Sequence, residues 1–213
     1  MKFKLLSNEP YVLKIENVFT KKISQDILDE AVGLKNDFSV ATIQNGVNKK
    51  TRDNQVIYYD NYYLNKRDKS VLLKNIGKFF ANEDFGNILR SSKDPIRRFP
   101  NTNYHETQVS RYGDNGQKYE WHIDNDGSNG RLITFVYYFN VEPKKYQGGN
   151  IVFSSSPITD KLVDNDLPQI NEIPQNNTGY IFDCYTAHTV LPTTSPKKFK
   201  DGRFSVNCWI GIK

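Results

Sequence analysis

Cysteine, methionine, tryptophan and histidine are all scarce in this chain of 213 residues, which holds two, one, two and three of them. The two cysteines, Cys184 and Cys208, show no C-x-x-C spacing, which excludes a disulfide framework or a cysteine-rich zinc site; they read as buried thiols. Long hydrophobic runs are missing too. The longest stretch dominated by apolar residues, Leu132 to Phe139, has eight positions, against the roughly 18 that a membrane-spanning helix needs. Met1 to Pro10 breaks into Ser-Asn-Glu-Pro after two leucines, so no secretory leader is expected and the chain is placed in the cytoplasm, away from membranes. No internal repeat occurs. Neither sign of charge dominates: 29 basic residues against 24 acidic leave +5. The basic residues come as scattered pairs, Lys21-Lys22, Lys49-Lys50, Arg97-Arg98, Lys144-Lys145 and Lys197-Lys198. That pattern reads as a solvated surface; a nucleic-acid partner would require them on one face.

Hydrophobic residues make up 37% of the chain and aromatic residues 13%, which is enough for a core and excludes wholesale disorder. Against a prior of about 150 residues per domain, the length suits a single domain, 1–213, with an elaborated edge. Residues 1–103 alternate strand and helix signals. An opening strand is expected over Tyr11 to Val18, and a helix capped by Ser24 through Gly33 with Ile27, Leu28, Ala31 and Val32 on one face. Short strands are expected over Phe38 to Ile43 and Gln55 to Tyr59, flanking a polar loop from Asn45 to Asn54. Val71, Leu72, Ile76, Phe79 and Phe80 carry the period of one helix from Lys69 to Leu89. Residues 104–213 change texture. Strands are expected over Glu106 to Tyr112, Tyr119 to Ile123, Arg131 to Asn140, Asn150 to Phe153, Gly179 to Asp183 and Arg203 to Ile212. Turns punctuate them at Gly113 to Gly116, Asp126 to Gly130 and Gly148-Gly149; Asp160 to Asn177 and Pro192 to Gly202 read as polar loops. The fold class is mainly β with flanking α: a compact barrel or sandwich buttressed by N-terminal helices.

The histidines repay individual attention. His122 and Asp124 form an H-x-D pair on an expected strand, where positions i and i+2 share a face, so imidazole and carboxylate project together. His188 follows just beyond another strand. Two histidines and one carboxylate match the facial triad of non-haem Fe(II) oxygenases, which leaves coordination positions open; a zinc hydrolase uses similar ligands, so the donor set leaves the metal undecided. On the last strand Arg203, Ser205, Asn207 and Trp209 alternate onto one face. A guanidinium and a hydroxyl pointing into a barrel suit a dicarboxylate, since arginine grips a carboxylate bidentately.

The runs Tyr112-Gly-Asp-Asn-Gly-Gln-Lys-Tyr119-Glu-Trp-His122-Ile-Asp124 and Gly130-Arg131-Leu-Ile-Thr134-Phe-Val-Tyr137-Tyr138-Phe-Asn140, followed by Gly148-Gly149, His188 and Arg203 to Trp209, resemble the Fe(II)/2-oxoglutarate dioxygenases of the prolyl 4-hydroxylase type. They are most similar to the hypoxia-factor prolyl hydroxylases and their microbial members. The resemblance covers Tyr104 to Lys213; before that only the order of elements agrees. It implies a double-stranded β-helix, or jelly roll, over 104–213 with 1–103 as a supporting region. It also implies that His122, Asp124 and His188 ligate Fe(2+). Arg203, Tyr138, Tyr112 and Ser205 would then receive 2-oxoglutarate, and Arg131, Trp209, Tyr119 and Arg52 would line the mouth toward substrate. O2 is the implied co-substrate, ascorbate an implied reductant, succinate and CO2 the implied products, and a prolyl residue of a protein or peptide the implied substrate.

Two departures from that pattern stand out. His188 and Arg203 lie fifteen positions apart, more than in the similar proteins, which adds a loop made basic by Lys197, Lys198 and Lys200. Asn207 stands where many relatives carry threonine. Three other functions compete: an oxygenase acting on nucleic acid, one acting on a small molecule, and a non-catalytic barrel that only binds. Nucleic-acid oxygenases of this kind typically carry a further arginine six positions after the co-substrate arginine, where this chain has Trp209.

Overall fold

The computed structural model describes residues 1–43, 46–113, 116–125, 127–155 and 167–213. Positions 45, 114–115, 126 and 160–166, which belong to the loops and turns expected above, lie outside them. The N-terminal half forms a hairpin of β1 (Lys2–Asn8) and β2 (Tyr11–Glu16), then α1 (Lys21–Gly33), β3 (Ser39–Val40), β4 (Gln55–Tyr58), α2 (Tyr59–Tyr63), α3 (Val71–Phe80) and α4 (Glu83–Arg90). Strands dominate thereafter: β5 (Tyr104–Tyr112), β6 (Gln117–His122), β7 (Arg131–Phe139), β8 (Gln147–Gly148) and β9 (Ile151–Ser154). They continue with β10 (Gln169–Glu172), β11 (Thr178–Asp183), β12 (Ala187–Thr194) and β13 (Arg203–Gly211).

Eight strands form one sheet in the order β1-β2-β11-β7-β13-β5-β4-β3, and β10-β9-β12-β6, with β8 paired to β12, form a smaller one. All pairings are antiparallel among the described residues, and the two sheets fold over one another as a jelly roll. Strand alternation sorts the chemistry of the larger sheet. Ile133, Phe135, Tyr137 and Phe139 of β7, with Phe204, Val206, Cys208 and Ile210 of β13, join Ile27, Leu28, Leu72, Ile76, Phe79 and Phe85 in a core against the helices. The alternate positions face the smaller sheet. There Val136 and Tyr138 pack with Val12, Ile151, Phe153, Tyr180 and Phe182, and Arg203, Ser205, Asn207 and Trp209 line a cavity.

Several sequence expectations need correction. The helix expected from Lys69 to Leu89 is two, because the chain turns at Ala81 and Asn82, whose Oδ1 accepts from Phe85 N (3.0 Å) and caps α4. Both helices lay their apolar faces on the same sheet, so the periodicity runs on through the break. The cap of α1 is Thr20, which accepts from Ile23 N (3.2 Å); Ser24 lies a turn inside, buried, and receives the Tyr137 hydroxyl (3.0 Å). Tyr11 to Val18 is the second strand of a hairpin, not the first. Phe38 to Ile43 shrinks to two residues of strand. Part of each expected polar loop is strand: β10 falls within Asp160 to Asn177, and Pro192 to Thr194 continue β12. The remainder of the second loop is pinned by Phe199, whose carbonyl accepts from Arg111 Nε (2.9 Å) and whose ring lies 4.4 Å from that guanidinium; Lys197, Lys198 and Lys200 are exposed. No helix among the described residues is long and apolar enough to cross a membrane.

Phe79 ties the helices to the sheet, its ring 5.0 Å from Phe135 and 4.4 Å from Phe85. Phe79→Ala should lower unfolding free energy by about 3–5 kcal/mol, read as a shift in urea midpoint at constant slope.

Candidate active site

Each of the three candidate ligands reaches the cavity from a different local structure. His122 ends β6 and His188 lies on β12, and the two are direct partners across the antiparallel pair. His122 Nδ1 lies 2.8 Å from the carbonyl of Glu120, and His188 Nδ1 lies 2.9 Å from that of Thr186. A carbonyl can only accept, so both Nδ1 atoms carry the proton and both Nε2 atoms present lone pairs. These lone pairs converge on Asp124: His122 Nε2 is 3.9 Å from Oδ1 and His188 Nε2 is 3.7 Å from Oδ2. The three groups supply ligand atoms all within 4.8 Å of one another, the one cluster of this kind among the described residues.

Asp124 is not on the strand, as the H-x-D spacing suggested. β6 stops at His122, and the chain turns so that the amides of Asp124 and Asn125 both donate to Cys184 O (2.9 and 3.2 Å). Thr134 Oγ1, from β7, donates to Asp124 Oδ2 (2.6 Å) and fixes the carboxylate. Burial works against charge on Asp124, but the His188 and His122 imidazoles, the Thr134 hydroxyl and the Trp209 indole outweigh it and hold its pKa below the ordinary carboxylate value. Burial, then the neighbouring His188, holds the His122 pKa well below the usual imidazole value. A carboxylate and a neutral imidazole are the forms that bind metal.

The cavity, about 120 Å³, is lined by every residue that the sequence marked for the site: Arg52, Tyr112, Tyr119, His122, Asp124, Arg131, Tyr138, His188, Arg203, Ser205 and Trp209. Deep inside it Arg203 is 1% exposed and forms no ion pair with any described residue. Its Nε donates to Gly149 O (2.8 Å) and its Nη2 to the Tyr138 hydroxyl (3.3 Å), while Nη1 is buried with no partner. The rings of Tyr112 and Tyr138 flank it at 4.7 and 4.8 Å. Gly149 makes room for it. At φ +68° that residue sits in the left-handed region, and a Cβ there would lie 2.5 Å from Arg203 Cδ and 2.7 Å from Thr193 Oγ1.

At the mouth, Arg131 lies 3.9 Å over the Trp209 ring and pairs with Glu106 (2.8 Å). On the other side Tyr119 stacks on His122 at 3.5 Å, and Arg52 lies 4.7 Å over Tyr119. Burial pushes the Tyr119 hydroxyl up to about 12, so it stays a neutral phenol.

Residues 107–211, which run from within β5 to the end of β13 and include all three converging candidate ligands, match the 2OG-Fe(II) oxygenase superfamily. That segment, just under half of the chain, is a 2OG-Fe(II) oxygenase domain. A PKHD-type hydroxylase from Synechocystis is 28% identical over 207 residues, covering 94% of this chain; the chain spans 63% of that relative's length. Two solved structures share the fold. A prolyl hydroxylase of Trichoplax adhaerens, in complex with a peptide of the hypoxia inducible factor oxygen degradation domain, superposes with a TM-score of 0.67 at 17% identity, covering 96% of this chain and 84% of the other. A prolyl-4-hydroxylase of Pseudomonas putida gives 0.59 at 17% identity, covering 94% and 92%.

The superfamily's two groups fit the residues present. Two imidazole nitrogens and a carboxylate suit Fe(II), and the orphaned Arg203 Nη1 suits a carboxylate of 2-oxoglutarate. Sequence reasoning missed what surrounds these 2OG-Fe(II) oxygenase groups. Thr134 lies within a family-like motif that implies no role for it, although its place opposite Trp209 in the β7–β13 register puts it on the same face of the sheet as the cavity residues. Gln108 and Asn54, which hold Arg52, carry no local signal at all.

Thr134→Val removes the bond to Asp124 without changing the side-chain shape and should weaken Fe(II) affinity about 10- to 100-fold by calorimetry. A second expectation follows from His122. Its folded pKa is depressed, so below the ordinary 6.5 the unfolded chain takes up a proton that the folded chain refuses. Stability of the metal-free protein should therefore decline as pH falls through that value, and more shallowly in His122→Asn, as followed by urea unfolding at stepped pH.

Proposed function

We propose that this chain is an Fe(II)- and 2-oxoglutarate-dependent dioxygenase that hydroxylates a C–H bond of a prolyl residue in a protein or peptide, releasing succinate and CO2. In this reading 104–213 is the catalytic core and 1–103 its support within one domain. The observation that carries it is the pairing, in one buried cavity, of a metal-ready His122–Asp124–His188 cluster with an arginine, Arg203, that has no acid partner among the described residues. Bound there, iron and 2-oxoglutarate supply O2 activation, and the protein's share is binding, orientation and exclusion of water.

The division of work among the side chains follows from their surroundings. His122, Asp124 and His188 hold the metal, each already oriented by a bond from its far side. Arg203 and Tyr138 grip the distal carboxylate of 2-oxoglutarate, with Tyr112 and Ser205 lining its path. The stacked Arg131–Trp209 pair and the Tyr119 ring present flat, largely apolar walls at the mouth, which suit a pyrrolidine ring. The prolyl assignment is supported by the PKHD-type relative and by the prolyl hydroxylases that share the fold. Both cysteines are buried free thiols, as suits a reducing, cytoplasmic setting.

His122→Ala and Asp124→Ala should each abolish Fe(II)-dependent succinate formation from 2-oxoglutarate while circular dichroism shows the fold retained. Arg203→Ala should raise the KM for 2-oxoglutarate at least about tenfold, the loss of a charged hydrogen bond, with a much smaller change in iron affinity. Undiminished succinate formation in the Asp124 variant would contradict the assignment.

A further inference from the structure

Among the described residues three guanidinium groups line the cavity, and two have their charge matched. Arg131 is neutralised by Glu106, and the free edge of Arg203 is taken by the co-substrate in the function proposed above. Arg52 remains. It is 7% exposed, and among the described residues no carboxylate comes within ion-pair distance of it. Asp53, beside it in sequence, does not pair with it, and Glu120, next to its bridge partner Tyr119, is held by Lys118.

Two neutral amides hold Arg52 in place. Its Nε donates to Asn54 Oδ1 (3.1 Å) and its Nη2 to Gln108 Oε1 (2.7 Å). Both amides turn their oxygens to the guanidinium at a cost, because Asn54 Nδ2 and Gln108 Nε2 are then buried without partners. A carboxylate at either position would hold the same geometry, remove an orphaned donor and cancel the charge. The chain keeps the charge instead, in a place where an unmatched ion is expensive unless something arrives to pair with it. The wall behind it is fixed as well: Gln108 Oε1 also accepts from Ser110 Oγ (3.2 Å), which accepts from Asn207 Nδ2 (3.1 Å). Arg52 lies over Tyr119, which stacks on His122, so whatever it grips is held one ring away from the metal cluster.

We propose that Arg52 is the subsite for a carboxylate of the substrate, so that this oxygenase selects an anionic amino-acid or peptide substrate over a neutral one. The inference rests on the oxygenase reading and narrows its substrate class. A single negative charge matches the one guanidinium left over. A phosphate monoester, with roughly −1.5 to −2, exceeds it, and among the described residues no lysine lines the cavity. The carboxylate has two sources, the main-chain terminus of the hydroxylated residue or an acidic side chain next to it.

A binding titration independent of turnover tests this. The protein is loaded without oxygen with Mn(II) and 2-oxoglutarate, and their binding is measured first. Failure at that step overturns the oxygenase reading and the proposal with it; success isolates Arg52. Two pairs of ligands follow, read by fluorescence of Trp209 in the cavity: N-acetyl-L-proline against its amide, and N-acetyl-prolyl-glutamic acid α-amide against the glutamine equivalent. The acid should bind about tenfold or more tightly than its neutral partner in at least one pair, and which pair identifies the source. Arg52→Gln should bring the ratio close to one, and Arg52→Lys should restore part of it, which a merely structural role for Arg52 would not do. Equal affinities in both pairs, no binding of either acid, a preference that survives in Arg52→Gln, or tighter binding of deoxyadenosine monophosphate would overturn the proposal.

Discussion

Two imidazoles on neighbouring antiparallel strands, each with its Nδ1–H tied to the carbonyl two residues earlier, are the constraint on which the site depends. The tie fixes tautomer and ring angle together. Without it, Nε2 could carry the proton and no lone pair would face Asp124. Because Glu120 O and Thr186 O belong to the backbone, the orientation is set by chain geometry and survives changes in the surrounding side chains. The third candidate ligand, Asp124, is placed by different means: a turn that docks on Cys184 and a hydroxyl from the larger sheet. The cluster therefore exists only when both sheets are assembled, which makes the jelly roll a requirement of the chemistry.

The same alternation that builds the cluster separates stability from function. On β7 and β13 one set of side chains meets the helices in an almost wholly apolar core, and the other set carries arginine, serine, asparagine, tryptophan and tyrosine into the cavity. Buried polar groups are tolerated there because they brace one another, as in the chain from Arg52 through Gln108 and Ser110 to Asn207. The apolar face supplies the stability that offsets the orphaned donors lining the other.

Much of this was legible in the sequence. Alternation over Arg203, Ser205, Asn207 and Trp209 put the right face of the last strand into the barrel, since a period of two needs no tertiary information. The family motifs located the site residues in one cavity. What escaped had a physical reason in each case. Asp124 shares a face with His122 through a turn, and spacing cannot tell a turn from a strand that continues. The break at Asn82 falls between two helices that present apolar faces to the same sheet, so the period shows no seam. Pro192 argued for a loop, but β12 carries on through it to Thr194. Gln108 and Asn54 are invisible because the meaning of an amide depends on a guanidinium 56 residues away from the first and two from the second.

A crystal structure of the protein grown with Mn(II) and 2-oxoglutarate in the absence of oxygen, with anomalous data at the manganese edge, tests the central claim most directly. The account predicts one anomalous peak bonded to Nε2 of His122, Nε2 of His188 and a carboxylate oxygen of Asp124, with the far carboxylate of 2-oxoglutarate on Arg203 Nη1. A metal bound through either Nδ1, a metal held elsewhere on the chain, or a co-substrate carboxylate that leaves Arg203 unpaired would contradict it.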